Sequence, residues 1–65
     1  MLERIADLRR NLGLSQRQIA DKCGVTQQFI QQIESGKKNP SVKVLTKLAE
    51  ALDSSIDELF DKKAG

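Results

Sequence analysis

The sequence has no histidine, tryptophan or tyrosine, and only one cysteine and one proline among its 65 residues. The absence of histidine removes the commonest general base and a common metal ligand, and no paired-carboxylate arrangement or phosphate-binding glycine loop replaces it. The lone cysteine, Cys23, cannot form a disulfide within the chain, and its helical spacing from Ile19 favours a core position over the role of a nucleophile. We therefore expect no enzymatic activity, no metal and no cofactor.

The chain also lacks any apolar run near the roughly 18 residues that a membrane helix needs. Met1-Leu2-Glu3 begins an amphipathic pattern rather than a signal peptide, so we expect neither a membrane partner nor export. A free thiol fits a reducing compartment, and these features together predict a cytoplasmic protein. The short length predicts a single domain covering residues 1–65.

Charge is distributed unevenly along the chain. Residues 1–47 contain nine Lys and Arg against four Asp and Glu, a net +5, whereas residues 48–65 contain two Lys against five Asp and Glu, a net −3. A basic body with an acidic end indicates a polyanionic partner on one side, although scattered solvated charge would explain such an asymmetry about half the time.

Apolar residues recur at intervals of three or four, and no sustained alternation indicates a strand, so the pattern predicts five short helices around one aliphatic core. The expected inward residues are, helix by helix, Leu2, Ile5, Leu8 and Leu12; Ile19, Ala20 and Cys23; Ile30 and Ile33; Val42, Leu45, Leu48, Ala49 and Leu52; and Ile56, Leu59 and Phe60.

Capping residues and glycines set the predicted helix boundaries. Ser15 and Gln18 have the spacing of a capping box, in which each side chain bonds to the backbone N–H of the other. Two helices joined across a tight turn at Gly24-Val25 are typical of a helix-turn-helix, here predicted over approximately residues 15–36. The other expected N-caps are Thr26 and Ser41, and the expected helix ends lie at Gly13, Gly24 and Gly36.

The third predicted helix carries glutamine at positions 27, 28, 31 and 32. With Ile30 at the centre of the buried face and about 100° per residue, Gln28 and Gln32 point outward about 160° from it, one on each side. Gln is an acceptable helix former on any wet surface, but exposed faces more often carry Lys and Glu. A neutral face with paired donors and acceptors suits bidentate contacts with adenine in the major groove, which the N-terminal residues of the second helix of a helix-turn-helix reach.

Donor groups surround this helix. Gln16 and Arg17 open the second helix, where free backbone N–H groups favour phosphate. Lys37, Lys38 and Asn39 form a polar loop after the third helix. The sequence thus separates amides that suit base edges from groups that suit the phosphate backbone, whose contacts supply affinity and register.

The segment from Leu14 to Leu52 resembles the Cro/repressor-type helix-turn-helix of lambdoid phage repressors and bacterial XRE-family regulators. The resemblance implies an all-α, lambda-repressor-like fold of five short helices. It also implies a third helix that lies in the major groove and a homodimer, at least on DNA, that binds a palindromic operator. No single residue is specific, but the ordered set is: Ser15-Gln16, Ile19-Ala20, Gly24-Val25, Ile30, Ile33-Glu34, Gly36, Asn39-Pro40-Ser41, Leu45, Ala49 and Leu52.

The same resemblance implies which residues contact DNA. Gln27, Gln28 and Gln32 match base-contacting positions, and Thr26 and Gln31 are the remaining candidates on this helix, with Gln31 the most typical of plain surface. The candidate phosphate contacts are Gln16, Arg17, Lys37, Lys38, Asn39 and Ser41.

Two further residues of this helix need separate interpretations. Glu34 lies about 40° from Ile30, so its stem is near the core, where acids are rarely left unpaired. The resemblance implies an ion pair with Arg9; the alternative is a surface carboxylate that contributes little. Phe29 stands where the most similar phage repressors have a small polar residue, and it can pack at the domain edge, touch a thymine methyl or sugar, or approach a dimer partner.

These features predict a sequence-specific transcriptional regulator, a repressor, that binds double-stranded DNA as a homodimer and is nucleoid-associated when bound. No small-molecule ligand is expected, because 65 residues leave no room for a separate effector domain. The alternative is a protein-interaction module, such as an antitoxin-like protein that also binds DNA, although the shortage of aromatic anchors argues against a pure interaction role. Leu59 and Phe60 are expected to close the small core, and the alternative is that they serve dimerisation.

Overall fold

A computed structural model describes residues 4–60 of the chain, and this part consists of helices and connecting loops without strands. The fold class predicted from the sequence is confirmed. The four α-helices and one short 3-10 helix are α1 (Arg4–Asn11), α2 (Gln16–Cys23), α3 (Gln27–Glu34), α4 (Val42–Ala51) and the 3-10 helix Asp57–Leu59. None of the helices in residues 4–60 is long and apolar enough to cross a membrane.

The prediction of a fifth α-helix is wrong: only a single 3-10 turn forms, over Asp57–Leu59. Ser55 and Glu58 exchange two hydrogen bonds there, with the Ser55 N–H donating to Glu58 Oε1 at 2.8 Å and the Glu58 N–H to Ser55 Oγ at 3.3 Å. Phe60 then has an extended backbone, with φ −96° and ψ 151°, so the helix ends at Leu59, whose side chain is buried. Leu2 and the tail 61–65 lie outside the described residues.

Side-chain caps begin three of the helices where the sequence predicts them. Ser15 Oγ accepts from the Gln18 N–H at 3.0 Å, and Gln18 Oε1 accepts from the Ser15 N–H at 2.8 Å, which confirms the capping box before α2. Thr26 Oγ1 caps α3 by accepting from the Phe29 N–H at 3.0 Å. Ser41 caps α4 in the same way. Each cap satisfies a backbone donor that the first helical turn cannot satisfy itself.

The tight turn between α2 and α3 depends on Gly24. Its φ of +71° is left-handed, and its backbone N–H donates to the Asp21 carbonyl at 3.3 Å as α2 ends. The next N–H, that of Val25, donates to the Ala20 carbonyl at 3.0 Å, and the half-buried Val25 packs against the core. The turn thereby fixes the angle between the two helices.

Replacing Gly24 with alanine is expected to destabilise the fold by about 1–2 kcal/mol, the cost of a left-handed backbone for an L residue. The loss comes from the backbone alone, because a Cβ at this position meets no atom within 4 Å. Gly24→Asn is the matched control and should lose less, since asparagine tolerates this conformation better. Urea unfolding of both variants measures the difference, and equal losses would contradict the explanation.

One continuous core holds the helices together. Ile5, Ile19, Ile30, Leu48 and Leu59 are fully buried, one from each of the five elements. α2 packs against both α3 and α4, and the 3-10 helix packs against α1. Cys23 belongs to this core, and its burial raises the pKa of the thiol while the charge of Lys47 opposes that shift. The predicted core placement of Cys23 is confirmed.

Two residues predicted to face the core are exposed. Leu12 is 48% exposed because it follows the last residue of α1, where the chain already turns through Gly13 at φ +72°. Val42 is 74% exposed because it is the first residue of α4. Side chains in a first turn lean toward the helix N-terminus and so project past the end of the packed face. Leu8, Leu45, Ile56 and Phe60 are only partly buried.

Candidate nucleic-acid interface

The glutamines of α3 are displayed as a group with free amides. Gln27, Gln28 and Gln31 are exposed and Gln32 is half-buried. Among residues 4–60, none of these four side-chain amides hydrogen-bonds to another group. A surface pocket brings three of the four together with Ser35 and Lys37; its lining glutamines are Gln28, Gln31 and Gln32. Their donors and acceptors are therefore available to a partner.

Gln32 is less exposed than its angular position on the helix predicts. The backbone N–H groups of Lys37 and Lys38 both donate to the Gln32 carbonyl, at 2.9 and 3.2 Å. The loop after α3 is thereby folded back over the end of the helix, and it brings Lys37 into the same pocket as Gln32. Gln31, which the sequence marks as plain surface, lines this pocket too.

Phe29 and Thr26 hold the first turn of α3 in place. Phe29 is half-buried and packs against the core, which corresponds to the first of its three possible roles, a packing contact at the domain edge. Thr26 is exposed; its hydroxyl oxygen accepts one capping bond, and its O–H hydrogen remains to donate.

The candidate phosphate-contacting residues lie at helix starts and in the loop. Arg17 is exposed in the first turn of α2, and Ser41 is exposed at the N-cap of α4. Lys37, Lys38 and Asn39 are exposed in the loop between α3 and α4. Helix N-termini carry free N–H groups and a partial positive charge, which together with these side chains favour anions.

A buried ion pair joins α1 to the end of α3. Arg9 Nε donates to Glu34 Oε2 at 2.8 Å and Arg9 Nη2 donates to Glu34 Oε1 at 3.2 Å, so the contact is bidentate. The side chains are 10% and 8% exposed, and Arg9 Nη1 also donates to the Leu14 carbonyl at 2.9 Å. The ion pair implied by the resemblance is therefore present, and the surface alternative for Glu34 is wrong.

Gln16 has a partner that the sequence did not predict. Its Nε2 donates to Glu34 Oε1 at 2.9 Å, which links the first residue of α2 to the last residue of α3. No local sequence pattern predicts this bond, because the two residues are 18 positions apart and belong to different helices. The residue as a whole is half-buried.

The sequence of this chain is similar to those of known proteins. A family model described as helix-turn-helix matches residues 5–59. An uncharacterised HTH-type transcriptional regulator of Archaeoglobus fulgidus is 37% identical over 60 residues, which cover 92% of this chain and 86% of that protein. The cryptic phage CTXphi transcriptional repressor RstR of Vibrio cholerae is 40% identical over 62 residues, covering 95% of this chain but 55% of the repressor.

Solved structures show the same fold. The restriction-modification controller protein C.AhdI from Aeromonas hydrophila superposes with a TM-score of 0.84 at 38% identity, covering 89% of this chain and 88% of the other. The master regulator for biofilm formation SinR, in complex with DNA, superposes with a TM-score of 0.84 at 33% identity, covering 94% of this chain and 100% of the other.

Proposed function

Since this chain belongs to the XRE family of helix-turn-helix DNA-binding transcriptional regulators, we propose that it is a repressor that binds a palindromic operator with α3 in the major groove. The observation that carries the proposal is the glutamine face of α3, whose amides have no partner within residues 4–60. The family acts by binding DNA rather than by catalysis. Repression is favoured because a similar protein, RstR, is a transcriptional repressor.

Base recognition is assigned to the amides of α3. Gln28 and Gln32 are the main readers, because both line the pocket beside Lys37 and can each make a bidentate contact with adenine. Gln27, in the first turn of α3, either contacts a base or supports the residues that do. Thr26 and Gln31 complete the set, Thr26 through its remaining O–H and Gln31 through its position in the same pocket.

Phosphate contacts hold α3 in register on the duplex. Arg17 and Gln16, at the start of α2, contact one stretch of the DNA phosphate backbone. The loop between α3 and α4, together with the start of α4, contacts a second stretch. The loop contacts are Lys37, Lys38, Asn39 and Ser41. The bonds from the loop backbone to the Gln32 carbonyl favour this arrangement, because they fix the loop relative to the base-reading helix.

A homodimer is the assembly that suits the small base-contacting surface of α3. One α3 reaches only a few base pairs, whereas two copies related by a two-fold axis read both halves of a palindrome. In such a dimer the two recognition helices lie about 34 Å apart, one turn of the duplex, on the same face.

A protein-interaction role is the second candidate function. It is favoured by one comparison, a SinR protein/SinI protein complex that superposes on this chain with a TM-score of 0.86 at 34% identity. In that role the molecule binds a protein partner in addition to DNA. Salt dependence distinguishes the DNA contact from a protein contact, because neutralised phosphates release counterions and protein contacts largely do not.

The test is DNA affinity as a function of salt for the wild type and for Lys38→Ala. Wild-type affinity should fall steeply between low and moderate salt, and Lys38→Ala should bind all duplexes more weakly and reduce the log–log salt slope by about 1. Lys47→Ala removes the same charge from the surface that Lys47 shares with Lys22 and Glu50. It should keep the wild-type slope, and a salt-independent affinity would contradict the proposal.

A further inference from the structure

The bond between Gln16 and Glu34 suggests a role for Glu34 beyond stability. Three N–H donors converge on the two oxygens of this carboxylate: Arg9 Nε on Oε2, and both Arg9 Nη2 and Gln16 Nε2 on Oε1. Arg9 is fixed further by its bond to the Leu14 carbonyl. The carboxylate is therefore held by three hydrogen bonds, and its Oε1 atom faces the start of α2.

The location of Glu34 is unfavourable for its own helix. It is the last residue of α3, where the helix dipole disfavours a negative charge. Its bond to Gln16 places it at the N-terminal end of α2, where the dipole favours a negative charge. The ion pair with Arg9 neutralises the carboxylate, so it can lie near a phosphate without strong repulsion.

A carboxylate can only accept hydrogen bonds, so it selects one of the two orientations of the Gln16 amide. The NH₂ group must face Glu34, because the alternative orientation would set the amide oxygen against a carboxylate oxygen. An NH₂ group has two hydrogens, and the bond at 2.9 Å uses one of them. The second has no acceptor within residues 4–60, and it belongs to a half-buried residue at the start of α2.

We propose that Glu34 is a positioning residue for DNA binding, which orients the Gln16 amide so that its second N–H donates to a backbone phosphate. The inference rests on the phosphate contact assigned to Gln16 under the proposed function. One NH₂ group then bridges two anions, the Glu34 carboxylate and the phosphate. The amide needs no reorientation when DNA binds, which reduces the entropic cost of the contact.

Glu34→Gln is the informative variant, because it replaces one of the two acceptor oxygens with an NH₂ group. Three donors then compete for a single oxygen, and the forked guanidinium of Arg9 retains it at the expense of Gln16. We expect DNA affinity to fall about threefold to tenfold. Electrostatics alone predicts the opposite sign, since the variant loses a negative charge; the exposed control Glu50→Gln should bind as well as the wild type or better.

A double-mutant cycle separates positioning from a general loss of structure. Gln16→Ala should weaken binding, and Glu34→Gln should add no further loss in that background, because its effect on DNA passes through Gln16. Affinities are compared where circular dichroism shows every variant folded. An equal loss from Glu34→Gln with and without Gln16 overturns the inference, and unchanged binding by Gln16→Ala overturns it together with the phosphate assignment.

Side-chain amide NMR of the wild type tests the orientation without any variant. Of the two Gln16 N–H protons, one should show a hydrogen bond in the free protein, and the other should shift only when a duplex is added. Free-glutamine shifts for both protons in the absence of DNA would overturn the inference. Failure of the wild type to bind any duplex would overturn the proposed function instead, and the spectrum of the free protein would still decide the orientation.

Discussion

Glu34→Ala is expected to lower the free energy of unfolding by about 3–5 kcal/mol, because it leaves the Arg9 guanidinium buried without its counter-ion. Arg9 as a whole residue is only 8% exposed, so little of the guanidinium is in contact with solvent. A domain of 65 residues is stabilised by only about 3–10 kcal/mol in total, so the variant loses a large fraction of its stability. The thermal midpoint followed by circular dichroism should fall by roughly 4–8 °C per kcal/mol.

Two controls make this result specific to the ion pair. Glu50→Ala removes an exposed acid from α4 and should change stability by no more than about 0.5 kcal/mol. Replacing Arg9 and Glu34 together by methionine and leucine removes both charges, so it should recover much of the loss. An unchanged midpoint for Glu34→Ala would mean that the pair contributes nothing to the fold.

Gln28→Ala and Gln32→Ala should each relax base preference at a particular operator position, at a cost of about 1–3 kcal/mol per lost bidentate contact. Both side chains line the same pocket of α3, and neither amide has a partner within residues 4–60 that would compete with a base. The measurement is selection of binding sites from random duplexes by the wild type and by each variant.

Gln31→Ala is the internal comparison for this experiment, because it removes the same group from the same pocket at the base-contact candidate most typical of plain surface. It should change the selected sequences least. Losses of affinity that are the same for all duplexes would assign Gln28 and Gln32 to the phosphate backbone and contradict their role as base readers.

The helix starts and most of the core were predictable because local rules govern them. The caps at Ser15, Thr26 and Ser41 depend on side chains and backbone within three residues, and Ile19, Ile30 and Leu48 follow the helical period. These features need no knowledge of what lies across the core.

The errors occur where a neighbour in space decides the outcome. Leu12 and Val42 have the right spacing for burial, but each lies at a helix end where no packed element covers it. The partial burial of Gln32 depends on the loop that returns over its carbonyl. The Gln16–Glu34 bond likewise could not be predicted from helical periodicity. The Arg9–Glu34 pair was expected through the family resemblance rather than through spacing alone.

The hydroxyl caps of α3 and α4 have a consequence for engineering a more stable form of this protein. Aspartate caps helices about as well as serine or threonine, and its charge interacts favourably with the helix dipole. Thr26 and Ser41, however, use only their oxygen for capping and keep an O–H that can donate to DNA. Under the proposed function, aspartate at these two positions would preserve the helix while presenting a carboxylate to a polyanion, so selection for thermal stability alone would favour variants that bind DNA more weakly.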